Sequence, residues 1–129
     1  MPRSVLVVDD DDAFRGLVTR ILRGWGHVVI AEAGSVAEAL TQVEALRPDT
    51  VLVDIGLPDG DGFDLTRQLS AKPWPMRVVL FSSDADCAKA AGADRAGAVG
   101  FLPKDEMSGL AMRRLVENDA GGSGADDGP

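Results

Sequence analysis

Two patterns of apolar residues alternate along this chain. Short, nearly continuous apolar runs occur at Val5–Val8, His27–Ile30, Thr50–Val53, Arg77–Phe81 and Ala98–Leu102. Runs of this length and continuity read as strands buried on both faces. Between them, apolar residues recur at helical spacing. Phe14, Leu17, Val18, Ile21 and Leu22 form one helical face, with Asp11 or Asp12 as its N-cap and Gly24-Trp25-Gly26 as its end. Ser35-Val36-Ala37-Glu38 fits a capping box, opening a helix with Val36, Ala39, Leu40, Val43 and Leu46 on one side and Arg47-Pro48-Asp49 as its stop. A third helix is expected over Phe63–Leu69, before Pro73-Trp74-Pro75. A fourth, Ala-rich and interrupted by Gly92, covers Ala85–Ala96, and a fifth covers Met107–Val116. Strand and helix alternate five times, which predicts an α/β fold: a doubly wound parallel sheet with helices on both faces and right-handed crossovers.

In such sheets ligands collect at the carboxyl ends of the strands. The residues there are Asp9 and Asp10 after the first strand, Asp54 after the third, Ser82 after the fourth and Lys104 after the fifth. Two carboxylates ~4 Å apart repel by about 4 kcal/mol at an effective dielectric near 20. A hard divalent cation relieves that cost, and Mg²⁺ takes oxygen ligands from one or two carboxylates while keeping waters. The other acids read as structural: Asp11 and Asp12 as caps, Asp59 and Asp61 as turn formers among glycines. His27, the single histidine, begins a strand far from the acids and is not expected to be a ligand or a base.

Composition narrows the function further. At 129 residues the chain is expected to form one domain, and 45% hydrophobic residues supply its core. A net charge of −8, from 21 acids and 13 bases, speaks against a nucleic-acid-binding face or an anionic membrane as partner. No apolar run approaches the ~18 residues of a membrane span. The start of the chain lacks the apolar stretch of a secretory signal, so the expected location is cytoplasmic. Cys87 is the only cysteine, which rules out an internal disulfide and fits a small buried hydrophobe. Residues 118–129, Gly- and Asp-rich, are expected to be a disordered tail after a domain at 1–117.

Four stretches, VLVVDDDDAFR, VLVDIGLPDGDGFDL, VVLFSS and GFLPK, occur here in an order and spacing that resemble the receiver domain of bacterial two-component response regulators. The resemblance covers about residues 3 to 117. It implies a five-stranded flavodoxin-like (βα)5 sheet of strand order 2-1-3-4-5, and a phosphoacceptor that takes its phosphoryl group from a sensor histidine kinase or a histidine phosphotransfer protein. Carried over, Asp54 is the phosphoacceptor. Asp10, Asp54 and the backbone carbonyl of Gly56 hold Mg²⁺, with Asp9 acting through a metal-bound water. Lys104 pairs with Asp54 at rest and with a phosphoryl oxygen afterwards, and Ser82 donates to another phosphoryl oxygen. Ser82 and Phe101 form the switch, which biases the surface of the fourth helix, fifth strand and fifth helix. The resemblance further implies a downstream protein target, a monomer or phosphorylation-dependent dimer, and no enzymatic activity beyond self-phosphorylation and autodephosphorylation.

The chain departs from the family pattern in places. Gly56 lacks the polar side chain many relatives carry there, which leaves Asp84 as the candidate to orient water. Asp105 follows Lys104 where proline is common, so the isomer of that peptide bond is open. Phe101 has no hydroxyl. Two rivals remain. A receiver-like binding module that is not phosphorylated usually loses an acid or the lysine, and this chain keeps them. A haloacid-dehalogenase-type phosphohydrolase needs a further acidic pair beyond its lysine, where only Asp105, Glu106 and Glu117 precede the tail.

Overall fold

A computed structural model describes residues 3–83 and 87–117, with side chains from residue 89 onward in the second segment. Asp84, the Cys87 side chain and the expected tail at 118–129 lie outside the described residues. Five parallel strands form the main sheet: β1 (Ser4–Val8), β2 (Val28–Ala33), β3 (Thr50–Asp54), β6 (Arg77–Ser82) and β7 (Gly100–Pro103). Their order is β2-β1-β3-β6-β7, the 2-1-3-4-5 arrangement once the short strands are set aside. The helices are α1 (Asp12–Gly24), α2 (Val36–Leu46), α3 (Gly62–Ser70), α4 (Cys87–Ala96) and α5 (Leu110–Glu117). A 3-10 turn, Lys104–Glu106, follows β7, so α5 begins three residues later than its apolar pattern implies.

Strand alternation splits the core into two layers. Leu6, Val8, Val51, Val53, Val78 and Leu80 pack with Ala39 and Val43 of α2, Leu65 and Leu69 of α3, and Ala93 of α4. Val5, Val7, Leu52, Val79 and Phe81 pack with Val18 and Leu22 of α1 and with Met112 and Val116 of α5. Both faces of β1, β3 and β6 are therefore covered, which is why their sequences lack polar alternation.

Local chemistry sets the helix ends. The Asp11 carboxylate accepts the N–H groups of Ala13 (3.0 Å) and Phe14 (3.3 Å), capping α1. Ser35 Oγ accepts the Glu38 N–H at 3.1 Å, while Glu38 reaches back to the Gly34 N–H at 2.8 Å, one residue before the cap. Gly92 does not interrupt α4. A Cβ there would lie 3.2 Å from the Phe63 ring, so the glycine lets α4 approach α3 closely. The expected loop at 57–62 contains a small antiparallel ladder, β4 (Gly56–Leu57) with β5 (Gly60–Asp61).

Candidate functional site

The acidic edge is assembled mainly by backbone. After β1, the Asp9 N–H donates to Ala33 O at 3.0 Å, extending the β1–β2 ladder by one residue. This fixes the Asp9 side chain inside the protein, at 0% exposure, while Asp10 faces solvent. The Asp11 N–H donates to Asp9 Oδ1 at 2.8 Å and turns the chain into α1. Arg15, one turn into α1, donates to the Asp9 carbonyl and the Asp12 carboxylate, and to Glu32 Oε1 at 3.2 Å. Its guanidinium ties the ends of β1 and β2 to the start of α1.

Asp54 ends β3 nearly buried, with Oδ1 accepting the Gly56 N–H at 3.3 Å. The loop beyond it folds back tightly. The Gly62 N–H donates to Ile55 O at 2.9 Å, and a Cβ at Gly62 would lie 2.6 Å from the Asp54 carbonyl oxygen. Glycine is required there by space. Ser82, the buried last residue of β6, follows Phe81, which is paired in register with Asp54. Phe101 lies in β7, half-buried against the α2/α3 layer. The peptide bond between Lys104 and Asp105 is trans, as are all those described.

Lys104 joins the two buried acids. Its ammonium lies 2.7 Å from Asp9 Oδ2 and 3.2 Å from Asp54 Oδ2, so the resting partner expected from the sequence, Asp54, is shared with Asp9. Beneath it lie the Phe14 and Phe81 rings, with centroids 4.6 and 5.7 Å from the nitrogen. Burial raises the Asp9 pKa above its ordinary value; the hydrogen bond from Lys104 offsets this only in part, and the Asp54 charge adds to it. For Lys104 burial acts downward, but the Asp9 hydrogen bond and the Asp54 charge outweigh it and hold the ammonium above the usual lysine range.

One carboxylate oxygen from each of Asp9, Asp10 and Asp54 lies within 4.8 Å of the others. Three carboxylates against one ammonium leave two negative charges, and the all-oxygen donor set suits a hard divalent cation. The residues present therefore fit Mg²⁺. His27 is far from this cluster, as expected, and is buried for another reason. Its Nδ1 accepts the Arg3 N–H at 3.0 Å, which leaves the proton on Nε2 to meet Glu117 Oε2 at 2.9 Å.

Two residues make contacts that their sequence reading did not include, Arg15 and Asp59. Arg15 carries a weak signal, its i,i+3 spacing from Asp12. Asp59 carries none. Its carboxylate is more than a turn former, accepting the N–H groups of Val36 (2.8 Å) and Ala37 (3.0 Å) at the start of α2. Those two bonds draw its pKa below the ordinary value.

A family model described as the response regulator receiver domain matches residues 5–116. The chain belongs to the response regulator receiver family. It is 37% identical over 116 residues to the DNA-binding transcriptional activator DevR/DosR of Mycobacterium tuberculosis, covering 89% of this chain and 53% of that protein. It is 39% identical over 111 residues to protein-glutamate methylesterase/protein-glutamine glutaminase 6 of Anaeromyxobacter dehalogenans, covering 85% of this chain and 31% of that one. The chain thus spans about half or less of these relatives. Among solved structures it resembles a LuxR-family two-component response regulator from Aurantimonas, with TM-score 0.81, 28% identity, and coverage of 89% and 83% of the two chains. A response regulator from Burkholderia pseudomallei, solved with a phosphorylated aspartic acid and a calcium ion, gives TM-score 0.79 at 27% identity, with coverage of 89% and 66%.

The receiver domain is a phosphoacceptor module of two-component response regulators, which work with histidine kinases and downstream targets. Receiver domains typically bind Mg²⁺, and the Asp9–Asp10–Asp54 cluster is compatible with it. Several relatives are DNA-binding by name, so the expectation of no nucleic-acid partner, drawn from the acidic balance of these 129 residues, is not supported. Two relatives are protein-glutamate methylesterases by name, and this chain spans 31% and 35% of them. No helix among the described residues is long and apolar enough to cross a membrane.

Proposed function

We propose that Asp54 takes a phosphoryl group from a phosphohistidine of a sensor kinase or phosphotransfer protein. An Asp54 carboxylate oxygen forms the new bond to phosphorus as the phosphorus–nitrogen bond breaks. The imidazole leaves with the electron pair and takes up a proton. Lys104 then exchanges its contact with the Asp54 carboxylate for a phosphoryl oxygen, and the Ser82 hydroxyl donates to another. Asp10, Asp54 and the Gly56 carbonyl would hold Mg²⁺, with Asp9 acting indirectly through a water. Bound there, the cation neutralises charge on the transferred group. Asp9 already commits one oxygen to the Asp11 N–H and the other to Lys104, which supports its indirect part.

The observation that carries this reading is the single ammonium of Lys104 held between Asp9 and Asp54, with Asp10 beside them. Ser82 and the half-buried Phe101 then act as the switch, altering the surface of α4, β7 and α5 for a protein target. The reading takes residues 1–117 as the receiver and 118–129 as a tail, in the cytoplasm, with no chemistry beyond the domain's own phosphorylation and dephosphorylation.

Incubation with Mg²⁺ and acetyl phosphate tests it. The expected result is one added phosphoryl mass, sensitive to base and to hydroxylamine, that chelation prevents and Asp54→Asn abolishes. Undiminished labelling of Asp54→Asn would overturn the assignment.

A further inference from the structure

The loop that follows Asp54 is anchored at its tip to the first turn of α2, which packs in the same layer as α3. The Asp59 carboxylate uses both oxygens, Oδ1 for the Val36 N–H at 2.8 Å and Oδ2 for the Ala37 N–H at 3.0 Å. Asp59 sits between β4 and β5, at the turn of the ladder that pairs Gly56 with Asp61 and Leu57 with Gly60. The contact is close: a Cβ on Gly60 would lie 3.2 Å from Val36 Cγ2. At its base the loop is closed by the Gly62 N–H bond to Ile55 O, and Leu57 packs on the core. Gly56 therefore sits in a hairpin held at both ends, and the tip is held by one side chain.

We infer that Asp59 is a positioning residue for the metal centre: by clamping the 56–61 hairpin to the first turn of α2, it fixes where Gly56 presents its carbonyl. The inference rests on the assignment of that carbonyl as a Mg²⁺ ligand. A two-residue ladder is too short to hold its own geometry, because isolated hairpins are marginal even when longer. The two charge-assisted bonds from Asp59 supply what the ladder lacks. They also complete the cap of α2, where Ser35 Oγ satisfies the Glu38 N–H and Asp59 satisfies the two N–H groups before it.

That shared cap provides the control. Asp59→Ala and Ser35→Ala each remove capping bonds from the same helix terminus, but only Asp59→Ala frees the hairpin. In the metal-free protein, hydrogen exchange at the Gly56–Asp61 ladder should accelerate in Asp59→Ala and stay at the wild-type rate in Ser35→Ala. By calorimetric titration, Mg²⁺ binding should weaken about tenfold in Asp59→Ala, the low end of the effect of losing an outer support of a metal site. Ser35→Ala should bind as the wild type does. Equal Mg²⁺ affinity in Asp59→Ala and wild type, or equal weakening in both variants, would overturn the inference. A wild-type protein that ignores Mg²⁺ altogether would instead overturn the metal site itself.

Discussion

At the carboxyl-terminal edge of the sheet three carboxylates gather, and two of them share one ammonium. At the amino-terminal edge Arg3, His27 and Arg77 fasten the last turn of α5. Arg3 donates to the Glu117 carbonyl at 3.0 Å, Arg77 to the Leu115 carbonyl, and His27 to the Glu117 carboxylate. Those carbonyls are among the acceptors a helix leaves unsatisfied at its end, so Arg3, just before β1, and Arg77, at the start of β6, act as caps from elsewhere in the chain. Asp49 receives the Ser4 N–H at 3.1 Å and the Thr50 hydroxyl at 3.0 Å nearby. One edge spends its charges on itself, and the other withholds two.

Glu117 at one edge and Asp9 at the other respond to acid in opposite senses. Glu117 is drawn below its ordinary pKa: burial acts upward, but the bonds from His27 and Arg113 prevail. Its contribution to stability is present above its unfolded pKa and fades as pH falls through the folded value. Asp9 is raised, so the folded protein holds that proton more tightly than the unfolded chain. Its contribution is present below its unfolded pKa, and stability is lost as pH climbs through the raised value. A cation at the site would favour the ionised form of Asp9 that burial disfavours.

Three substitutions test this contrast, beginning with the largest effect. Gly62→Ala, which sets a Cβ 2.6 Å from the Asp54 carbonyl oxygen, should destabilise by about 3 kcal/mol in urea unfolding. A loss under about 0.5 kcal/mol would show that the backbone of the acidic edge yields readily, and the contrast would then extend beyond charge. Arg77→Met removes the bond to the Leu115 carbonyl and should cost about 1–2 kcal/mol while leaving Mg²⁺ affinity unchanged. A fall in that affinity would show the two edges to be coupled. Asp9→Asn keeps the oxygen that accepts the Asp11 N–H and removes the buried charge. In the metal-free protein at neutral pH it should raise Tm by a few degrees and flatten the decline of stability with rising pH. A lower Tm would mean that the pair with Lys104 outweighs the burial of Asp9.

The sheet and the acidic edge were legible because their signals are local. Val5 to Asp10 records a buried strand and its chemistry in six consecutive residues, and Asp54 repeats the pattern. The rest depends on partners far along the chain. Asp59 lies 22 residues from Ala37, and His27 lies 90 from Glu117, so nothing near either residue announces the bond. Gly92 resembles a helix breaker until Phe63 is seen against it. Lys104 lies closer to Asp9 than to Asp54, acids 95 and 50 residues before it in the chain, and its spacing from them does not reveal which is nearer.

The seat of Lys104 also governs its reactivity toward electrophiles. Two carboxylates hold its proton and aromatic rings lie beneath it. An amine acylates through its unprotonated lone pair, which this arrangement suppresses. The side chain proposed to receive an incoming anion is thereby shielded from covalent capture, and its charge persists.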